Sequence, residues 1–144
     1  MKKLFLLASL CITALAHAAD RPEVGRYVKA YSGEEGVKVF VLRLGAPEKA
    51  EALVQIAGID HPLDGVIQKA RVDAGDRDGT RSYTTTRNGR DYMLLRLDRD
   101  SGTVYLPNQP NTLREPRVKY DGALSQHAAP EPMLTEWLQQ SEKK

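Results

Sequence analysis

The chain of 144 residues has only one cysteine and three histidines, and it lacks the sequence patterns of the common catalytic centres. It contains no Gly-x-Ser-x-Gly motif and no His-Glu-x-x-His pair, which are the signatures of many serine hydrolases and zinc peptidases. Two histidines, His61 and His127, lie beyond the N-terminal region, and neither belongs to a His-Glu-x-x-His or similar helical pair. We therefore predict no catalytic residue, no metal ion and no other cofactor, and we expect the protein not to be an enzyme.

The acidic turns also lack a full set of calcium ligands. Asp76 and Asp78 match two positions of an EF-hand loop, but Ala74 and Thr85 occupy the first and twelfth positions, where that loop places carboxylates. A second acidic segment, residues 98–102, has even fewer of the calcium ligands that such a loop needs. We interpret both segments as charged hairpin turns.

A long hydrophobic run occurs only at the N-terminus. Residues 1–18 contain two lysines, an apolar segment too short to span a bilayer, and a final Ala-His-Ala, which is typical of a secretory signal peptide. Cys11 would allow a lipid anchor, but the bulky Leu10 before it disfavours that alternative. We expect cleavage after Ala18 and a periplasmic or secreted product, residues 19–144, without a stable membrane anchor.

Cleavage would change both the charge and the chemistry of the chain. It removes two of the 21 basic residues, which leaves 19 basic and 19 acidic residues and a net charge of zero. A neutral product gives no reason to expect binding to nucleic acid. Because Cys11 is also removed, the product has no disulfide bond, and its 126 residues suffice for a single domain held together by its core.

Short alternating segments separated by turn residues fill most of this domain. The most strand-like segment, residues 37–44, is apolar on both faces, which predicts a central strand covered on both sides. Residues 50–56 either begin a helix after Pro47 or form a strand, and the alternation of Ala52, Val54 and Ile56 favours the strand. We predict a mainly β fold, an antiparallel meander of about seven strands forming a sandwich or an open barrel.

The clearest hairpin surrounds Asn88-Gly89, which favours a type I′ turn. This turn predicts that Thr86 pairs with Asp91, Thr85 with Tyr92, Thr84 with Met93, Tyr83 with Leu94, and Ser82 with Leu95. One face of the hairpin would then carry Tyr83, Thr85, Tyr92 and Leu94, and the other Ser82, Thr84, Met93, Leu95 and Leu97.

The C-terminal region has helical spacing. Met133, Leu134, Trp137 and Leu138 fall on one stripe, and prolines at 130 and 132 precede them. We predict a short helix near residues 132–140 that docks Trp137 on the sheet.

Without a catalytic pattern, binding is the predicted activity. Tyrosine rings on a rigid sheet and charged loops are typical of recognition surfaces. The predicted partner-binding residues are Asp60, His61, Asp64, Asp76, Arg77, Asp78, Tyr83 and Tyr92. The most concrete hypothesis is a periplasmic inhibitor or immunity protein that occludes an envelope-attacking enzyme, such as a cell-wall-degrading enzyme or a toxin.

Two other functions fit the same sequence. The first is an envelope module that binds a small or carbohydrate-like ligand in a pocket between sheet and helix, lined by Tyr83, Tyr92 and Trp137. The second is a small hydrolase with an unconventional site. For the two tyrosines, the alternative to a recognition role is burial beneath a neighbouring sheet or the helix.

Overall fold

The computed structural model describes residues 21–108 and 115–143. The predicted signal peptide lies outside the described residues. The described chain forms eight strands and two helices: β1 (Lys29–Gly33), β2 (Lys38–Leu44), β3 (Glu51–Ala57), β4 (Ile67–Ala74), β5 (Thr80–Arg87), β6 (Arg90–Asp98), β7 (Ser101–Val104), β8 (Arg117–Tyr120), α1 (Gly122–His127) and α2 (Pro130–Glu142). Single 3₁₀ turns occupy Glu34–Gly36 and Pro47–Lys49.

The eight strands form one closed antiparallel barrel in which every strand pairs with its neighbours in sequence and β8 pairs with β1. The predicted antiparallel meander is confirmed, and the strand predicted at residues 50–56 corresponds to β3. The sheet closes on itself instead of remaining open, and it has eight strands where about seven were expected. Closure gives every strand of the barrel a paired neighbour on both sides.

Two glycines allow neighbouring strands to approach closely near the closing seam. Gly33 on β1 and Gly102 on β7 both pair with Val118 on β8. A Cβ atom at Gly33 would collide with the carbonyl oxygen of Arg117, and one at Gly102 would lie 2.7 Å from that of Arg96. The absence of a side chain therefore allows β8 to approach β1 closely at Gly33, and β6 to approach β7 closely at Gly102.

Alternate residues of the strands fill the barrel interior. Its buried members come from all eight strands and include valines of β2, β3, β7 and β8, leucines of β6, and two tyrosines, Tyr31 and Tyr83. The interior is therefore a packed core, which stabilises the barrel through the burial of apolar surface.

The β5–β6 hairpin confirms the predicted turn but corrects part of its register. Asn88 and Gly89 both have positive φ, and Thr86, Thr85 and Thr84 pair as predicted. A bulge then shifts the pairing, so that Tyr83 faces Leu95 instead of Leu94. The bulge inserts one extra residue and returns Leu95 to the same interior face as Tyr83.

A second apolar cluster lies outside the barrel, beneath α2. Leu134 and Met133 of the helix pack with Leu42, Leu53 and Ile67 on the outer face of β2–β4. This contact explains why β2 is apolar on both faces, and it confirms the predicted C-terminal helix. No helix in the described parts of the chain is long and apolar enough to cross a membrane.

The short helix α1 was not predicted. Asp121 caps it by accepting a hydrogen bond from the Leu124 backbone N–H at 2.9 Å. This hydrogen bond, followed by one from the Ser32 hydroxyl, lowers the pKa of Asp121. The Ser125 hydroxyl of α1 accepts a hydrogen bond from the Ala30 N–H at 2.8 Å, which holds α1 against β1.

Candidate functional site

The predicted site residues divide between the two ends of the barrel. Asp60, His61 and Asp64 lie in the β3–β4 loop, whereas residues 76–78 lie in the β4–β5 loop. Consecutive connections in an antiparallel meander alternate between the two ends of the sheet. The two groups therefore cannot form one continuous contact surface. We call the first the His61 end and the second the Asp-Arg-Asp end.

At the His61 end, two of the predicted residues hold their own loop in place. The Leu63 N–H donates to His61 Nδ1 at 3.1 Å, so Nε2 carries the proton and donates to the Pro107 carbonyl at 2.9 Å. An Asp64 carboxylate oxygen accepts from the Gly58 N–H at 2.8 Å. These contacts give His61 and Asp64 a structural role in the loop.

The two predicted tyrosines do not form an exposed recognition face. Tyr83 is only 5% exposed because its ring belongs to the interior core, so its predicted contact with a partner is corrected. Tyr92 pairs with the buried Thr85 and is half-buried. Trp137 belongs instead to the cluster outside the barrel. The predicted pocket lined by all three rings is therefore not formed, since the barrel wall separates Trp137 from Tyr83.

The Asp-Arg-Asp end brings together two copies of the same tripeptide. Residues 76–78 and residues 98–100 both read Asp-Arg-Asp, and all six are exposed. The first tripeptide is in the β4–β5 loop, which is closed by a hydrogen bond from the Gly75 N–H to the Thr80 carbonyl at 2.8 Å. The Arg99 N–H donates to the Gly79 carbonyl at 3.0 Å, which connects the two turns directly. Together they form one charged projection on the barrel.

An aromatic ring lies beside this projection. The Tyr120 N–H donates to the Asp100 carbonyl at 2.6 Å, which places the end of β8 against the second turn. Its ring is 47% exposed and meets Tyr31 edge to face, with the ring centroids 5.9 Å apart. Tyr120 therefore offers apolar area next to charged groups, a combination common at binding hot spots.

The charged side chains at the Asp-Arg-Asp end form no ion pairs with other described residues. The six tripeptide residues and Arg81 contribute four carboxylates and three guanidinium groups, and none of them forms a salt bridge within residues 21–108 and 115–143. Arg81 hydrogen-bonds to Tyr83, and the six tripeptide residues have no ion-pair partner among the described residues.

Two tyrosines of the barrel interior, Tyr31 and Tyr83, lie close enough to these charges to be affected by them. Burial raises the pKa of Tyr31 to about 12, with smaller contributions from Tyr83 and Asp100. Burial likewise raises the pKa of Tyr83, although Arg81 opposes the rise. Both hydroxyl groups therefore remain protonated at neutral pH, which suits hydrogen bonding and not nucleophilic attack.

Comparisons with protein-family models, curated proteins and solved structures find no match for the chain. Within the described ranges, no three His, Cys, Asp or Glu side chains are grouped so that they could hold a metal ion.

Residues 76–78 were predicted as partner-binding from the sequence, but their proximity to residues 98–100 was not predicted. A usable signal was present, because the same tripeptide recurs two turns later and alternate turns of a meander share an end. The position of Tyr120 had no such signal, since it depends on barrel closure between β8 and β1.

Proposed function

We propose that the protein is an exported, non-enzymatic binding protein that inserts its Asp-Arg-Asp end into a cleft of a partner protein. The observation that supports this most is the joining of two exposed Asp-Arg-Asp turns, through the Arg99 N–H, next to the half-exposed ring of Tyr120. Charged loops on a rigid scaffold fix the geometry of a contact before the partner arrives, which reduces the entropy lost on binding.

The most concrete form of the proposal is a periplasmic inhibitor or immunity protein that occludes an enzyme attacking the cell envelope. Many glycan-cleaving enzymes have a pair of carboxylates in an open cleft. The guanidinium groups of Arg77 and Arg99 are suited to bidentate contact with such carboxylates. The neighbouring aspartates can pair with basic residues that line the same cleft.

The experiment measures how strongly the mature chain inhibits each enzyme in a panel of peptidoglycan-cleaving enzymes. For every enzyme that is inhibited, the Kd of the complex is also measured. The double variant Arg77→Ala/Arg99→Ala should raise the Kd roughly 30-fold or more, which corresponds to about 2 kcal/mol at a binding hot spot. Removing these side chains should leave the thermal stability nearly unchanged because both are exposed.

The matched control removes two arginines from the opposite end of the barrel, as Arg87→Ala/Arg90→Ala. These residues pair with each other beside the β5–β6 turn, and both are exposed. An equal loss of binding in both double variants would contradict the proposed site. Inhibition of no enzyme in the panel would contradict the inhibitor hypothesis, and turnover of cell-wall or ester substrates would contradict the non-enzymatic one.

A further inference from the structure

A groove of about 750 Å³ lies on the outer wall of the barrel. It lies over β4 and β5, with α2 on one side and the β3–β4 loop on the other. Its volume falls in the range of small-ligand sites. The residues that decide its chemistry are Lys49, Lys69, Arg71, Thr84, Arg87 and Trp137.

The groove lies where α2 leaves the wall uncovered and where the pairing between β4 and β5 stops. The helix packs on the outer face of β2–β4, whereas the outer face of β5 carries the short side chains Thr84 and Thr86. The step between the helix and these threonines leaves Trp137 in the side of the groove. One wall is therefore aromatic, and the middle of the floor carries hydroxyl groups.

The cations of the groove differ in their availability. Lys69 pairs with Glu51 at 3.2 Å, and Arg71 pairs with Asp73 at 3.1 Å. Lys49 and Arg87 form no salt bridge with any residue in the described ranges. Lys49 precedes β3 and Arg87 ends β5, so these two cations lie toward opposite ends of the groove.

The strand pairing bears on what can occupy this groove. β4 pairs with β3 over residues 67–71 but with β5 only over residues 71–74, so residues 67–70, which line the groove, have no backbone pairing with β5. The side chains that line the groove then distinguish one occupant from another. A ligand rich in hydroxyl groups, with negative charge near both ends, matches the hydroxyl floor, the aromatic wall and the two unpaired cations.

We infer that this groove binds a short anionic oligosaccharide, with Lys49 and Arg87 contacting its negative groups and the ring of Trp137 packing against a sugar face. The site is separate from the proposed protein-binding end, and neither depends on the other.

The single tryptophan of the chain makes the site directly measurable, because Trp137 is the only source of tryptophan fluorescence. The mature chain is titrated with trigalacturonate, with calorimetry on the same samples to detect binding that leaves the fluorescence unchanged. Saturable binding that weakens at high salt is expected, because exposed charges are screened. No saturable binding by either measurement would overturn the inference.

Two matched ligands test the chemistry. Cellotriose, which is neutral, should bind at least tenfold more weakly than trigalacturonate. Triglutamate carries similar charge without sugar rings and should also bind at least tenfold more weakly. Equal affinity for triglutamate would overturn the assignment to a glycan and indicate an acidic peptide instead.

Two double variants test the location. Lys49→Gln/Arg87→Gln should weaken trigalacturonate binding at least tenfold, whereas Lys38→Gln/Arg96→Gln, which changes outward cations of β2 and β6, should leave it unchanged. Equal effects would place the binding elsewhere. The Arg77→Ala/Arg99→Ala variant should bind trigalacturonate like the unaltered protein, so failure of one proposal is distinguishable from failure of the other.

Discussion

Docking of α2 on the barrel wall is tested most directly by Leu134→Ala. The Leu134 side chain is fully buried, and its cluster includes Leu42 and Leu53, which are fully buried as well. Truncation to alanine removes the apolar contacts between the Leu134 side chain and the sheet and leaves a cavity. Substitutions of this kind cost roughly 2–5 kcal/mol, and we expect about 3 kcal/mol here because β2 and β3 cannot easily move to fill the space.

The change should be visible in both chemical and thermal unfolding. For a domain of this size, about 3 kcal/mol corresponds to a decrease in Tm of roughly 12 °C. Urea unfolding is followed by Trp137 fluorescence, which reports on the helix, and by far-UV circular dichroism, which reports on the whole domain. The two transitions should coincide if helix and barrel unfold together.

The matched control is Gln139→Ala, which changes an exposed residue of the same helix and should alter stability by less than about 0.5 kcal/mol. A loss below about 1 kcal/mol for Leu134→Ala would refute the packing described for α2. A fluorescence transition that precedes the dichroism transition would show that the helix undocks from a barrel that remains folded.

Two further predictions concern the backbone and the barrel interior. Gly58→Ala should destabilise the domain by roughly 3 kcal/mol or more, because its φ is +75° and a Cβ atom would collide with the Gly36 carbonyl. The control Gly65→Ala has a similar φ of +71° but open space around it, and it should cost only about 1 kcal/mol. Equal losses of stability in urea unfolding would refute the steric argument. Since the pKa of Tyr31 is about 12 in the folded state and 10 is its ordinary value, stability should fall as pH rises from 10 to 12, by about 2 kcal/mol. Tyr31→Phe should reduce that dependence in pH-dependent urea unfolding, and an unchanged slope would contradict it.

The local elements could be predicted from sequence because their signals are local. Asn88-Gly89 determines the turn of the β5–β6 hairpin through its positive φ values. The alternation in residues 51–57 determined the strand, and the apolar stripe through Leu134 determined the helix. Each of these patterns repeats with the period of its own element, so no distant contact is needed to recognise it.

Features that depend on distant contacts were missed. The bulge near Leu94 arises from the need to keep Tyr83 and Leu95 on the interior face of a curved sheet. Barrel closure depends on Gly33, and in a sequence a glycine at a close approach resembles a glycine in a turn. Helix α1 has only six residues, and its stability comes from Asp121 and from contacts with β1.

The candidate site shows the same division. Residues 76–78 were proposed as partner-binding from composition alone, because Asp and Arg in a turn suggest recognition. Tyr83 was misplaced because strand alternation shows which residues share a face but not which face is buried. Only the eight-stranded closure assigns that face to the interior.

Charge balance makes local arrangement decisive for any partner. A chain beginning after residue 18 carries equal numbers of acidic and basic residues, so its net charge provides little long-range attraction toward a charged partner. Recognition must then depend on charges fixed at short range, where geometry and desolvation determine their contribution. The two joined Asp-Arg-Asp turns provide such an arrangement, because their acidic and basic groups alternate within one projection and have no salt-bridge partners among the described residues. The protein would therefore bind a cleft whose charges complement this alternation more tightly than a cleft that merely carries a large opposite charge.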